Sequence, residues 1–278
     1  MKFKEFLLIS REEMIARGWY YYDFLVVTGD AYVDHPSFGA AVIARVLEAD
    51  GFRVAVLAQP KWTDAADFAD MGRPRYAVFV GAGNLDSMVA RYTAAKKTRS
   101  EDFYSPGKRA GLRPDRASIV YALRAREAFP GLPVVLGGLE ASLRRFAHYD
   151  YWEDKVRRPV LFDAKADMLV YGMGETATRE LARRLSKGEP ASEITDVRGT
   201  AFIAKDASAC KFQSVACASF EEVTKDRRAY AEANMLQYDE HDPVRGRAVV
   251  QKCAGRALIV NPPVAPLETA EFDRVSEL

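Results

Sequence analysis

Five short apolar runs punctuate the first two thirds of the chain at intervals that suit alternating strands and helices. Each run is nearly continuous in apolar residues, which is typical of a strand that is covered on both faces. The runs occupy 23–28, 53–59, 76–80, 133–136 and 167–171. The intervening segments carry helix signals such as the capping box at Ser10 to Glu13, where hydroxyl and carboxylate can satisfy exposed backbone donors. The pattern therefore predicts consecutive βαβ units.

Such units predict an α/β fold with a doubly wound, mostly parallel five-stranded sheet of the flavodoxin-like kind. Beyond about residue 190 the rhythm changes to short strand-like segments around one long charged helix. We therefore predict a Rossmann-like N-terminal domain over 1–190. Residues 191–278 are predicted to form a small C-terminal α+β appendage that ends as a connector.

Composition narrows the class of protein further. Forty Lys and Arg against 39 Asp and Glu leave a net charge of only +1, so any polyanion partner would need a local basic patch. Charges at Arg11, Glu12 and Glu13 interrupt any signal-peptide core, and no apolar run has the length of a membrane span. Three cysteines are too few and odd in number for a disulfide framework. These features predict a cytoplasmic protein without a membrane partner.

The turns that follow the predicted strands contain the candidate ligand-binding residues. In doubly wound sheets ligands bind outside the carboxyl ends of the strands, where loops and helix N-termini converge. Glycine recurs at these turns, either because it permits a tight turn or because it lines a cleft, and its company of carboxylates favours a shared cleft. The candidate cofactor-binding residues are Asp30, Asp34, His35, Gly81, Asn84, Asp86, Gly137, Gly138, Glu140, Gly172, Gly174 and Glu175.

None of these residues forms a complete catalytic or metal-binding motif. The Gly81 to Gly83 segment lacks the third glycine of a dinucleotide fingerprint, and no P-loop occurs in the chain. Asp30, Asp34 and His35 suggest either a small metal or acid-base cluster or a hydrogen-bonded turn, and no second histidine lies nearby. We assign no catalytic residue and no metal ligand, and we expect the chain alone to be inactive.

Three other segments leave alternatives open. The aromatic run from His148 to Trp152 suggests either a pocket wall or packing. The basic stretch 96–116, with Tyr104 among its lysines and arginines, indicates either a nucleic-acid or protein-binding module or a loop of internal ion pairs, since Glu101, Asp102 and Asp115 dilute its charge. The cysteines show neither zinc nor iron–sulfur spacing, so buried or incidental thiols are expected.

Six ordered motifs resemble the N-terminal region of the YgiQ-type (UPF0313) radical-SAM proteins, an uncharacterised bacterial family. The similarity runs from about Phe6 to the end of the chain. The motifs are TGDAYVDHPSFG at 28–39, NLDSM at 84–88, YTAAKK at 92–97, VLGGLEASLRR at 135–145, HYDYW at 148–152 and VYGMGE at 170–175.

The resemblance implies an accessory domain that positions substrate or cofactor in front of a radical-SAM barrel of the same polypeptide. In the full-length family a CxxxCxxC loop would bind a 4Fe-4S cluster, and S-adenosylmethionine would bind to that cluster. No CxxxCxxC occurs in these 278 residues, so we expect a fragment or a truncated gene product. The predicted domain is also similar to the cobalamin-binding domains found in front of other radical-SAM barrels. Cobalamin bound through histidine is not expected, because Asp34 and His35 are adjacent, whereas the cobalt-binding loop of those domains separates its aspartate and histidine by one residue; cobalamin held without a histidine ligand is the open alternative.

Overall fold

The computed structural model describes residues 5–278 and contains one large sheet, one small hairpin and flanking helices. The strands are β1 Phe24–Thr28, β2 Val54–Ala58, β3 Ala77–Gly81, β4 Val134–Gly137, β5 His148–Asp150, β6 Lys155–Arg157, β7 Met168–Val170, β8 Thr200–Ala204, β9 Ser214–Cys217, β10 Ala248–Cys253 and β11 Arg256–Val260. The α-helices are α1 Arg11–Ala16, α2 Gly39–Ala49, α3 Ala66–Asp70, α4 Ser87–Arg91, α5 Ala117–Ala128, α6 Gly138–Leu143, α7 Val160–Ala164, α8 Glu175–Ser186, α9 Phe220–Lys225, α10 Arg227–Asp239 and α11 Thr269–Ser276.

The doubly wound α/β class is confirmed. The strand order begins β2-β1-β3-β4-β7, with every neighbouring pair parallel, and this is the flavodoxin-like order 2-1-3-4-5. The five apolar runs of the sequence form these five strands. Their side chains are buried on both faces, because α2 and α8 cover one side while α3, α5 and α7 cover the other.

The predicted size of the sheet is wrong, since it has nine strands rather than five. The order continues from β7 through β8, β11 and β10 to β9. The β7–β8, β8–β11 and β10–β11 pairs are antiparallel, and the β9–β10 pair is parallel. The reason is edge pairing. Strand β8 hydrogen-bonds to the backbone groups on the open edge of β7, and these groups would stay unpaired if the appendage packed elsewhere. Residues 191–278 thus extend the same sheet.

Alternation along the strands decides which residues face which helices. On the α2 and α8 side the strands present Phe24 and Val26, Phe79, Val135 and Val170, and these pack in one apolar cluster with Leu47 and Leu181. On the opposite side Leu25, Val78, Leu136 and Leu169 pack with Tyr121 of α5. Because successive side chains alternate, the last residues of β1, β3 and β4, namely Thr28, Gly81 and Gly137, face α2 and α8.

Candidate functional site

A cleft of about 360 Å³ opens at the carboxyl ends of β1, β3, β4 and β7, between the sheet and helices α2 and α8. The chain leaves β1 toward β2 on one side and returns to β3 on the other, so the cleft lies at the reversal of strand order where doubly wound folds bind ligands. Its lining residues are Val26, Val27, Thr28, Pro36, Gly39, Ala40, Val42, Ile43, Phe79, Val80, Gly81, Gly83, Asn84, Leu136, Gly137, Gly138, Val170, Gly172, Met173, Gly174, Glu175 and Thr178.

The cleft exists because side chains are missing on the face toward the helices. Gly81 and Gly137 are paired in register at the ends of β3 and β4, where larger residues would fill the space. A Cβ atom at Gly81 would have its nearest neighbour at 3.8 Å, and one at Gly137 at 3.9 Å. Both distances are ordinary van der Waals contacts, so a Cβ atom would fit at either position without a clash. On the helix side the lining residues Gly39, Ala40 and Gly174 are also small.

Asn84 fastens the rim of the cleft. Its backbone N–H donates to Asp30 Oδ2 at 2.7 Å, and its side-chain amide donates to the Ser37 carbonyl at 2.9 Å. The amide oxygen also accepts a weaker bond, at 3.3 Å, from the N–H of Gly39 at the start of α2. These bonds join the loop after β3 to the loop after β1, so the two sides of the cleft mouth are held at a fixed separation.

A buried ion cluster lies beneath this rim. Arg113 is 3% exposed and contacts Asp30 at 3.0 Å and Asp102 at 3.1 Å, while donating to the Ala82 carbonyl at 2.9 Å. Burial raises the pKa of Asp30, and the neighbouring Arg113 opposes that rise. A Cβ at Gly83 would lie 2.1 Å from Asp30 Oδ1, so the guanidinium and carboxylate fit against the loop only because this residue is glycine. Asp30 therefore supports the rim rather than lining the cleft.

Two more of the predicted carboxylates, Asp86 and Glu140, also serve as supports. Asp86 caps α4 by accepting from the Met88 N–H at 2.9 Å and forms an ion pair with Arg144. Glu140 is 1% exposed and accepts from the N–H groups of Ser87 at 2.8 Å and Ser118 at 2.9 Å, which ties α6 to the starts of α4 and α5. Both carboxylates thus satisfy the donors of helix N-termini.

Asp34 and His35 lie in the loop between β1 and α2. Asp34 forms an ion pair with Arg45, whose guanidinium also reaches Glu48 at 2.7 Å. His35 Nδ1 accepts from the Ser37 N–H at 3.1 Å, which is the hydrogen-bonded turn that the sequence offered as the alternative to a metal cluster. In the described residues 5–278 no three His, Cys, Asp or Glu side chains are grouped as metal ligands.

The predicted candidates therefore separate into two groups. Those that line the cleft are Gly81, Asn84, Gly137, Gly138, Gly172, Gly174 and Glu175, and those that brace the loops around it are Asp30, Asp34, His35, Asp86 and Glu140. Sequence reasoning missed Ile43 and Thr178, which line the cleft from helices. The small residues at the start of α2, Gly39 and Ala40, were the available sign that this helix borders a cleft. Sequence reasoning also missed that Arg113 is buried, because nothing in the local sequence Leu112-Arg113-Pro114 distinguishes a buried arginine from an exposed one.

The basic stretch 96–116 is largely engaged in contacts within the chain. Arg116 pairs with Asp150 at 2.8 Å, and the Arg99 Nε donates to the carbonyls of Val89 and Tyr92. Lys96 lies over the ring of Tyr151. Together with buried Arg113, these contacts correspond to the loop of internal interactions that the sequence offered as one alternative.

The aromatic run forms β5 and part of the turn of the β5–β6 hairpin, and it packs against that basic stretch. Tyr151 donates through its hydroxyl to the Ala94 carbonyl at 2.8 Å, and Asp150 accepts the Arg116 guanidinium. Burial lowers the pKa of His148 to about 4, and its Nδ1 lies 3.1 Å from the Phe146 carbonyl oxygen. None of these residues is among those lining the cleft, so within the described chain the segment packs against the basic stretch rather than forming a wall of the cleft.

Comparison with known proteins identifies the family. The Radical SAM N-terminal family model matches residues 6–278. The chain belongs to the Radical SAM N-terminal family. It is 51% identical to a UPF0313 protein of Clostridium botulinum over 274 residues, 53% identical to one of Geobacter sulfurreducens over 273, and 49% identical to one of Clostridium perfringens over 278. These matches cover 98–100% of the chain, but the chain spans only 42–45% of the length of these relatives.

The thiols of this Radical SAM N-terminal chain do not fit the iron–sulfur cluster that the family implies. Cys210, Cys217 and Cys253 are unpaired, and Cys253 is buried in the strand region. Burial raises the pKa of the Cys217 and Cys253 thiols to about 11, whereas cluster ligands are thiolates. The described residues also contain no helix long and apolar enough to cross a bilayer.

Proposed function

We propose that this chain is the accessory N-terminal domain of a radical-SAM protein and that its cleft holds the substrate, or a second small cofactor, on which the protein acts. The cluster and S-adenosylmethionine of the full-length family would be bound by a barrel of the same polypeptide, since this chain has no CxxxCxxC motif. That barrel is the partner we assign to it. We place the protein in the cytoplasm, because unpaired thiols persist in a reducing compartment.

The observation that carries this proposal is the cleft at the reversal of strand order. Its volume of about 360 Å³ falls at the small end of the range of roughly 300–1,000 Å³ for ligand pockets. Side chains such as Ile43, Phe79 and Val170 make its walls apolar, while a few polar groups are placed at its mouth. This combination of apolar walls and sparse polar groups is typical of a site that orients a small molecule.

The polar groups at the cleft suit binding rather than bond making. Thr28 Oγ1 accepts the Asp30 N–H, and both ends of the Asn84 amide are bonded to the loop at 37–39. A nucleophile with an adjacent base would need two free groups within hydrogen-bond reach. Thr28 and Asn84 are held by the loops, and no hydrogen bond joins Glu175 and Thr178, the other polar side chains that line the cleft in the described residues. We therefore assign the reaction itself to the rest of the polypeptide.

A substitution that fills the cleft tests the proposal. Gly137 has an extended backbone, with φ of −157°, so valine fits the strand without strain, and its side chain enters the space facing α2 and α8. Indole is a suitable probe because it is flat, apolar and small. We expect saturation transfer from the protein to indole in NMR for the parent chain, and its loss in Gly137→Val at an unchanged unfolding midpoint.

Ala216→Val is the matched control, since Ala216 is an exposed residue of strand β9 and is not among the residues that line the cleft. It should bind indole as the parent does. Equal saturation transfer in Gly137→Val and the parent would refute the assignment of the cleft as a binding site.

A further inference from the structure

The charge of the cleft is decided by one residue. Of the described residues that line it, Glu175 alone carries a charge, and the polar side chains beside it are neutral. Glu175 is the first residue of α8, a 12-residue helix, and it directly follows Gly174, which also lines the cleft. Its carboxylate therefore occupies the helix N-terminus where an anionic ligand group would otherwise be attracted.

One oxygen of this carboxylate is buried without a partner. Glu175 Oε2 is inaccessible to solvent and accepts no hydrogen bond from any residue in the described part of the chain. A buried acceptor without a donor is unfavourable by itself, because it has lost its hydration without replacement. Glu175 as a residue is only partly buried and lines the cleft, so a ligand that donates a hydrogen bond to its carboxylate would offset part of that cost.

No arginine of the described residues forms an ion pair with Glu175, and Arg179, one turn further along α8, is held by Asp50 and Glu271. Arg113 is held by Asp30 and Asp102, and Arg144 is paired with Asp86. No lysine, arginine or histidine is among the described residues that line the cleft. A phosphate or carboxylate placed there would face a like charge without a counterion.

We propose that the cleft selects an uncharged or cationic small molecule, with a flat or aliphatic apolar group between the walls and a hydroxyl or ammonium group donating to Glu175. The inference rests on the proposed binding function of the same cleft, and it specifies the ligand class. Anionic metabolites such as phosphate esters are excluded from the buried part of the site by the same carboxylate.

Three indole probes of similar size test this selection. Tryptamine carries an ammonium group, tryptophol a hydroxyl, and indole-3-propionate a carboxylate, all on short arms. We expect tryptamine to bind at least about tenfold more tightly than indole-3-propionate in NMR titrations at low salt, with tryptophol between them. Glu175→Gln should reduce the affinity for tryptamine about tenfold or more and leave the affinity for indole-3-propionate unchanged or increased.

Glu180→Gln is the matched control, because Glu180 is an exposed residue of the same helix and is not among the residues that line the cleft. It should preserve the ranking of the three probes. If the probes bind and Gly137→Val prevents binding, but the carboxylate probe binds as tightly as tryptamine, the ligand class is refuted while the binding function stands. If no probe binds the parent chain, the proposed function and this inference both fail.

Discussion

The ion cluster of Arg113, Asp30 and Asp102 offers the sharpest test of how the cleft rim is held. Arg113→Met removes the guanidinium while keeping much of the side-chain length. Two carboxylates that are 2% and 7% exposed would then lack their cation. Removing one partner of a buried ion pair costs about 3–5 kcal/mol. Asp102 keeps its hydrogen bond from Ser105 Oγ, so we expect a loss near the lower end, about 3 kcal/mol.

Urea unfolding followed by tryptophan fluorescence measures that loss. Arg109→Met is the matched control, because Arg109 is an exposed arginine of the same segment, and substitutions at such positions change stability by about 0.5 kcal/mol or less. Adding Asp30→Asn to Arg113→Met should recover part of the loss, since one buried charge disappears. A loss below about 1 kcal/mol for Arg113→Met, or one equal to that of Arg109→Met, would refute the buried-cluster argument.

Three further outcomes are expected. His148 has a folded-state pKa of about 4, below its unfolded value, so its contribution to the free energy of unfolding is complete above about pH 6.5 and is lost on acidification. Between about pH 7.5 and 4.5 the free energy of unfolding of the parent, measured with urea, should fall by about 2–3 kcal/mol more than that of His148→Gln. Binding of single-stranded RNA in a filter assay should be weak and nearly independent of salt, because Arg113 and Arg116 of the basic stretch are already paired; a steep salt dependence would contradict this. Hydroxocobalamin mixed with the chain should separate on gel filtration, because no histidine is among the described residues lining the cleft; co-elution of corrinoid absorbance would overturn that expectation.

The parallel half of the sheet was predictable because its strands are buried on both faces. That burial forces continuous apolar runs such as Phe24–Thr28 and Val54–Ala58, and these runs are visible without knowledge of their neighbours. The half formed by β8 to β11 was not predictable as part of the same sheet. Strand-like sequences were recognised at β8, β10 and β11 but not at β9. The pairing of β7 with β8 depends on tertiary contacts, which no local pattern in Thr200–Ala204 indicates.

The candidate site divides in the same way. The glycines at 81 and 137 were found because the end of a parallel strand is a general position for a ligand site. Asp86 and Glu140 occupy equivalent positions in sequence, yet they satisfy helix N-termini. Their role depends on partners 53 and 58 residues away, Ser87 for Glu140 and Arg144 for Asp86, so residue type and strand position alone could not separate a ligand-facing carboxylate from a bracing one.

The pairing of β7 with β8 also determines when the edge of the parallel half becomes covered during synthesis of the chain. The first five strands of the sheet emerge from the ribosome in sequence, but β7 has its outer hydrogen-bonding edge covered only after Thr200–Ala204 has emerged, and β8 in turn pairs with Arg256–Val260. Until then the nascent chain presents an open strand edge, which is a template for pairing with other chains. The second half of the sheet thus acts as the closing segment that protects the cleft-bearing half from misassembly.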